Sequence, residues 1–317
     1  MHKHVFLLLL TMSYSSILLA NEVTHGESES NTKTIQLSVI SRTHELEFLD
    51  RSLENYVILK PNIPYVFQAS FIYNNHLLTL ETENISDIGV NDNKGVSSYY
   101  DIEYTYLYQN SEYRAYYSKY EGFYVSDQKD SSGNYFTFED LATSRIGFEY
   151  KSYGTQPKMI SVNNRYSNDF KKLPDAFGTF EYGVLFDVSN ISNFPSSPDV
   201  LSQIDKSEFF FFNDLELITI SPFVGGLGRI AIKSYFIEGG LSLGFGIQSQ
   251  KFTLDAVGKD EIDYSFVGSG FISLGKTILD NSVLGLSFSV KSVEPSVEKN
   301  EFAIATVDAT IFYRINF

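Results

Sequence analysis

The chain has 317 residues with no Cys, no Trp, 22 Tyr, 27 Phe and 21 Gly, too long and too apolar a composition for a disordered protein. Its 24 Lys and Arg against 39 Asp and Glu leave a formal charge of -15, which argues against nucleic acid as a partner. The lack of Cys excludes disulfides, a thiolate nucleophile and any zinc or iron–sulfur site built on Cys, and no cofactor is expected.

Residues 1 to 20 begin with a short cationic stretch (Met1, His2, Lys3, His4), run through Val5 to Leu10 and close on Ala20, the pattern of a cleavable secretory signal peptide, with an uncleaved anchor as the alternative. Residues 21 to 33 are polar and aperiodic, and read as a flexible leader. Beyond residue 20 no stretch reaches the roughly eighteen apolar residues of a membrane-crossing helix. The remaining 34 to 317 is therefore either a soluble exported β-protein or a closed barrel in an outer membrane.

Period-two patterning favours the barrel. From Ala303 to Phe317 one alternate set (Ala303, Ala305, Val307, Ala309, Ile311, Tyr313, Ile315, Phe317) is apolar, and its complement is mostly polar. Leu241, Leu243, Phe245 and Ile247 alternate with Ser242, Gly244, Gly246 and Gln248; Leu284 to Val290 repeats the pattern. A soluble strand would oppose its apolar face with charge, whereas Gly, Ser and Gln suit a crowded or hydrated lumen. In 101 to 108 and 179 to 188 acids fall on the inner set. Aromatics recur near strand ends (Tyr99-Tyr100, Tyr116-Tyr117, Tyr120, Phe123-Tyr124, Tyr135-Phe136, Phe209 to Phe212, Tyr235-Phe236, Phe312-Tyr313) and are expected to form interfacial girdles.

Strands are expected near 34–48, 53–60, 64–73, 76–86, 98–109, 112–125, 140–152, 158–167, 177–189, 208–232, 235–252, 261–276, 281–293 and 301–317. The segment 208–232, with Pro222 and Gly225-Gly226, is one long strand or two. The expected fold is an all-β, antiparallel transmembrane β-barrel of about twelve strands, fourteen being the alternative and 34–60 the least secure stretch. Asn74-Asn75, Asn110-Ser111, Lys233-Ser234 and Asp280-Asn281 are expected periplasmic turns, and 87–97, 126–139, 190–207, 253–260 and 294–300 longer external loops. Loop sidedness does not close across 168–207 without adding or removing a strand.

The terminal pattern Ile311, Tyr313, Ile315, Phe317 resembles the C-terminal signal that outer-membrane assembly machinery selects, and with the signal peptide it identifies the chain as similar to Gram-negative outer-membrane β-barrels. Leu59-Lys60-Pro61-Asn62, Tyr117 and Tyr120-Glu121-Gly122-Phe123-Tyr124 resemble an uncharacterised barrel family known only as a domain of unknown function. That resemblance implies a barrel and carries over no catalytic or ligand residue.

Chemistry is sparse. A lipid-hydrolysing barrel needs a His beside a Ser on an outward face. His44 and His76 have no Ser two residues away on their own strands, and both read as surface or turn residues. Asp87, Asn91, Asp92 and Asn93 lack a full calcium-loop spacing, so a solvated loop is preferred and no metal is assigned. The candidate lumen-lining residues are Asp101, Glu103, Glu181, Asp187, Asp308 and Arg314, meeting bases such as Arg114, Arg145, Arg165, Arg229 and Lys291; an ion-pair network is preferred over a selectivity device. The leading function is a porin-like narrow channel or a structural barrel of the cell envelope, its acid excess favouring cations. Its partners are outer-membrane lipid and lipopolysaccharide, the assembly machinery, and a small solute or ion. The alternatives are a lipid-modifying barrel enzyme and a soluble exported glycan-binding β-protein.

Overall fold

The computed structural model describes residues 33–50, 55–83, 91–108, 110–130, 132–154, 176–194, 212–254, 257–279, 281–297 and 300–317. The expected signal peptide, all of the leader except Lys33, the expected strand 158–167, Asp87, Arg165 and Phe209 to Phe211 lie outside the described residues.

The described chain is built from β1 (Lys33–Asp50), β2 (Asn55–Lys60), β3 (Tyr65–Tyr73), β4 (His76–Glu83), β5 (Ser98–Tyr108), β6 (Ser111–Lys129), β7 (Tyr135–Tyr153), β8 (Ala176–Ser192), β9 (Phe212–Ile232), β10 (Tyr235–Leu254), β11 (Val257–Leu279), β12 (Ser282–Val297) and β13 (Asn300–Asn316). Consecutive strands pair antiparallel from β3 through β13, and β1 closes the sheet by pairing with β13 from Thr34↔Asn316 to Asp50↔Asn300 and with β3 on its other edge. The closed wall therefore has twelve strands, and β1, in the stretch least secure from sequence, is one of its longest-paired members. Closure leaves no edge strand, so no whole row of ladder groups is left facing lipid unpaired.

β2 is the thirteenth strand and is not an independent member of the wall. It lies in line with β3, both antiparallel to β1, Leu46–Asp50 pairing with β2 and Lys33–Ser41 with β3. Pro61 and Pro64 separate the two, since neither has an N–H to continue a ladder. Above the break, β2 pairs directly with β6 through Leu59↔Val125 and Lys60↔Tyr124. The wall thus runs twelve strands around at the end holding the turns, and ten at the other, where the β4–β5 hairpin has stopped.

The join is filled by a hydrogen-bonded clasp. Asn62 Nδ2 donates to the carbonyls of Asn91 (2.9 Å) and Gly95 (2.8 Å), its backbone N–H donates to Ser97 Oγ (2.8 Å), and Ser97 Oγ donates to the Gly122 carbonyl (2.7 Å). Gly122 has φ +79°, and a Cβ there would lie 2.1 Å from the Val96 carbonyl oxygen, so only glycine fits. The segments Leu59 to Asn62 and Tyr120 to Tyr124, singled out above as a family-like pattern, meet at this join.

Several expected loops are shorter than the sequence reading. β6 and β7 extend to Lys129 and from Tyr135, β10 reaches Leu254 with β11 starting at Val257, and β12 and β13 take in Glu294 to Val297 and Asn300. Polar residues there are strand residues standing beyond the apolar belt, where composition no longer distinguishes strand from loop. Outside the belt, Asp130 accepts backbone N–H bonds from Asn134 (2.9 Å) and Ser132 (2.8 Å), which hold its carboxyl below the usual range. β7 and β8 pair directly from Tyr153↔Glu181 to Ala142↔Ser192, so the wall needs no strand between them, which resolves the sidedness problem. β9 is one continuous strand; its ladder to β10 lapses opposite Pro222 and resumes at Ile247↔Ile220 in the same register.

The outer surface is apolar. Leu241, Leu243, Phe245 and Ile247 are 46–61% exposed, and Leu284, Leu286, Phe288 and Val290 are 40–55% exposed, while their alternates turn inward. A large exposed apolar face in a folded chain requires a nonaqueous surround, which rules out the soluble glycan-binding alternative.

Candidate functional site

Period-two geometry sends each inward side chain into one of three levels. At the level opposite the short turns, Leu46 and Phe48 (β1), Val57 and Leu59 (β2), Phe123 and Val125 (β6), Phe138 and Leu141 (β7), Leu215 and Leu217 (β9) and Phe252 (β10) form one buried apolar cluster with Ile191, Phe194 and Ile304. Phe48 meets Phe194 edge-on at 5.7 Å, so β1 touches the segment that follows β8 within this cluster.

Below this cluster lies a layer of charge. Arg42 places Nε 2.7 Å and Nη2 2.8 Å from the two oxygens of Asp308, its direct cross-strand neighbour, and Nη1 2.7 Å from Glu81. Glu81 also accepts from Tyr99 Oη (2.6 Å) and Gln68 Nε2 (2.7 Å). Arg114 joins Glu149 opposite it and Glu103 (3.5 Å), and Lys151 reaches Glu149 at 3.0 Å. Asp187 accepts from Arg145 Nη2 (2.9 Å), Tyr116 Oη (2.5 Å) and Ser189 Oγ (2.6 Å). Charges desolvated this way hold each other in place, and loss of one partner strands the other.

These groups surround a central cavity of about 280 Å³, with Gly268, Ser269, Gly270 and Ser289 on the β11–β12 side. A second cavity of about 350 Å³, toward the turns, shares Arg42, Glu103, Arg114, Lys291 and Asp308 with it. The central lining carries five bases (Arg42, Arg114, Arg145, Lys151, Lys291) and five acids (Glu81, Asp101, Glu103, Glu149, Asp308). Among the described residues there is no ring of like charge around this cavity, and cation preference has no basis in them.

The sequence candidates fall as follows. Asp101, Glu103 and Asp308 line the central cavity; Asp187 and Glu181 are buried beside it, Glu181 accepting from Ser242 Oγ; Arg314 lies at the turn side, donating to Gln36 Oε1 at 2.7 and 3.0 Å. Among the bases, Arg114, Arg145 and Lys291 line the central cavity, and Arg229 is buried with its guanidinium 4.5 Å from the Phe236 ring centre. Ile311, Tyr313 and Phe317 are 39–62% exposed on the outer face, with Ile315 in the same phase. Arg42, Glu81, Glu149 and Lys151 were not singled out from sequence. The signal for the last two was available: Ile146, Phe148 and Tyr150 mark the outward phase of β7, leaving Glu149 and Lys151 inward.

Two expectations are corrected. The aromatic pairs do not all form girdles, because adjacent residues face opposite sides: Tyr100, Tyr235 and Tyr313 are exposed, whereas Tyr99, Phe236 and Phe312 are 3–5% exposed inside. Phe236 and Phe312 lie over Gly275 and Gly285, their direct cross-strand neighbours, where a Cβ would come within 2.1 and 2.2 Å of the ring. His44 is not a surface residue: it is 5% exposed, its ring stacked on Tyr120 at 4.0 Å. His76 is the first residue of β4, hydrogen-bonded through Nδ1 to Tyr104 Oη (2.6 Å) and stacked on Tyr106 at 5.0 Å, in the aromatic group at the turn end. Neither His has a Ser partner, and no metal-holding cluster is present among the described residues.

A closed antiparallel wall, an apolar outer face and a polar, charge-paired interior leave one surround that fits. The wall is that of an outer-membrane β-barrel. No family model and no curated protein matches the sequence. Among solved structures, an outer membrane channel from Pseudomonas putida F1 aligns at 10% identity over 93% of this chain and 100% of that one, with a TM-score of 0.41. The outer membrane protease OmpT from Escherichia coli aligns at 10% identity over 93% and 99%, TM-score 0.39, and the P. putida toluene transporter TodX at 7% over 92% and 91%, TM-score 0.29.

Proposed function

We propose that this chain is a closed structural barrel of the Gram-negative outer membrane, delivered by a cleaved signal peptide at residues 1–20 and recognised for assembly through Ile311, Tyr313, Ile315 and Phe317. The observation that carries the reading is the apolar cluster crossing the lumen, with Phe48 against Phe194. Packed hydrocarbon exposes no polar group for an ion to exchange for its hydration shell, so such a layer blocks conduction. The orientation follows from the turns: short connections face the periplasm and the apolar layer lies at the outer end. Among the described residues nothing favours a lipid-modifying role, since the outward His76 meets Tyr104 and His44 faces inward.

Planar-bilayer recording of the folded protein tests the reading. The wild type is expected to give no stable conductance steps, and Phe48→Ala combined with Phe123→Ala to give steps while retaining a heat-shifted gel band. Steady wild-type steps unchanged in the double variant would overturn it.

A further inference from the structure

At the end of the wall away from the turns, the outer face carries two lysines gathered on one aromatic ring. Phe136 and Phe138 on β7 pack inward on the apolar cluster, so Tyr135 and Thr137 face outward, together with their cross-strand neighbours on β6, Lys129 and Tyr124. Lys129 Nζ lies 4.5 Å from the centre of the Tyr135 ring. Lys94, from the turn before β5, brings its Nζ to 5.4 Å from the same ring and 4.7 Å from that of Tyr124, and the two rings meet edge-on at 5.1 Å. Other outward lysines at this end have acids beside them: Lys60 meets Glu45 at 2.5 Å, Lys119 pairs with Glu121, and Lys251 reaches Glu216 at 3.5 Å. Among the described residues Lys94 and Lys129 have no carboxylate partner. The Asp130 carboxylate, next to Lys129, is taken by the N–H groups of Ser132 and Asn134.

The turn that presents Lys94 is fastened to the wall on both sides. Lys94 N–H donates to the Asn91 carbonyl (2.9 Å), and Asn62 Nδ2 holds the carbonyls of Asn91 and Gly95. Gly95 has φ +74°, and a Cβ there would lie 3.0 Å from Thr137 Cγ2, so the turn is seated directly on the outward face of β7. The height of the pair narrows what can reach it. On β6 the outward apolar set ends at Tyr117, and Tyr124 stands seven residues further along. At roughly 3.3 Å per residue and a tilt of about 45°, that is about 16 Å past the hydrocarbon edge, beyond the roughly 5 to 8 Å of a phospholipid headgroup. An anion at this level on the lipid side of the wall has to be carried on a longer, sugar-built headgroup. We propose that Lys94 and Lys129, on the platform of Tyr124 and Tyr135, bind the phosphorylated sugar headgroup of an outer-leaflet glycolipid. The phosphates supply the charge that the two ammonium groups lack, and the headgroup ties the Lys94 turn to the β6–β7 hairpin beside the short β2–β6 join. The inference rests on the orientation proposed above, in which this end faces out.

The test uses the full, detergent-folded chain and measures retention of purified lipopolysaccharide bearing core phosphates, the same material dephosphorylated with hydrogen fluoride, and phosphatidylglycerol. The phosphorylated form is expected to bind about tenfold or more tightly than the dephosphorylated form. Lys94→Gln combined with Lys129→Gln is expected to abolish that difference while keeping the heat-shifted gel band, and Lys251→Gln, on the far side of the wall at the same end, to leave it unchanged. Equal binding of the dephosphorylated form, equal binding of phosphatidylglycerol, displacement by inorganic phosphate at roughly 10 mM, or an undiminished difference in the folded double variant would each overturn the proposal. Binding in detergent depends on neither conduction nor orientation, so this proposal and the closed-barrel reading fail in separate experiments.

Discussion

Arg42 is the residue on which the interior electrostatics converge, joining β1 to β13 through Asp308 and to β4 through Glu81. Arg42→Met keeps most of the volume but leaves both carboxylates without their cation, at a cost of about 3 to 5 kcal/mol. A urea titration of the folded barrel should show the midpoint fall accordingly, whereas Lys251→Ala, at an exposed 3.5 Å pair with Glu216, should move it by less than about 1 kcal/mol. Phe317 belongs to two systems at once. Its backbone closes the wall, Lys33 N–H donating to its carbonyl (3.1 Å) and its own N–H to the Lys33 carbonyl (2.9 Å), while its ring is 62% exposed. Phe317→Ala separates the two: refolding into detergent should match the wild type, and assembly in cells, measured as heat-shifted protein in outer-membrane fractions, should drop. Equal cellular assembly would remove the ring from the recognition signal.

At the scale of elements, the join between β2 and β6 is the thinnest place in the wall, two residue pairs against the eleven between β5 and β6. Asn62 compensates through bonds to Asn91 and Gly95. Asn62→Ala removes them at about 1 kcal/mol each, so trypsin should cut at Lys94 faster in the variant, with cleavage elsewhere unchanged. An unchanged digestion pattern would mean that the clasp does not hold the segment. Strand existence and facing were legible in the sequence here, because lipid on one side and a crowded lumen on the other impose a clean period of two; Leu241 to Gln248 shows it without exception. Strand number was less legible. β2 and β3 each look like a strand, and only pairing partners reveal that they share one place beside β1. The ion pairs were legible as inward charges and not as pairs, since Arg42–Asp308 spans 266 positions and depends on the β1–β13 register. His44 was misjudged because a lone polar residue within a mixed inward set (Ile40, Arg42, Leu46) carries no sign of the Tyr120 ring that covers it.

Over the described residues, the usual distribution of polarity is inverted: hydrocarbon outside, salt and amide inside, and a second cluster of buried hydrocarbon at the end away from the turns. The inverted wall is the central claim, and the chain's lack of Cys makes it directly measurable, because each introduced cysteine is the single labelling site. Cysteines placed one at a time from Leu241 to Gln248 on β10 can be labelled with an environment-sensitive fluorophore in vesicles containing a lipid-tail quencher. The prediction is strict alternation, with 241, 243, 245 and 247 blue-shifted and quenched by lipid, and 242, 244, 246 and 248 neither. Uniform water exposure at all eight positions, or quenching at the even ones, would contradict it.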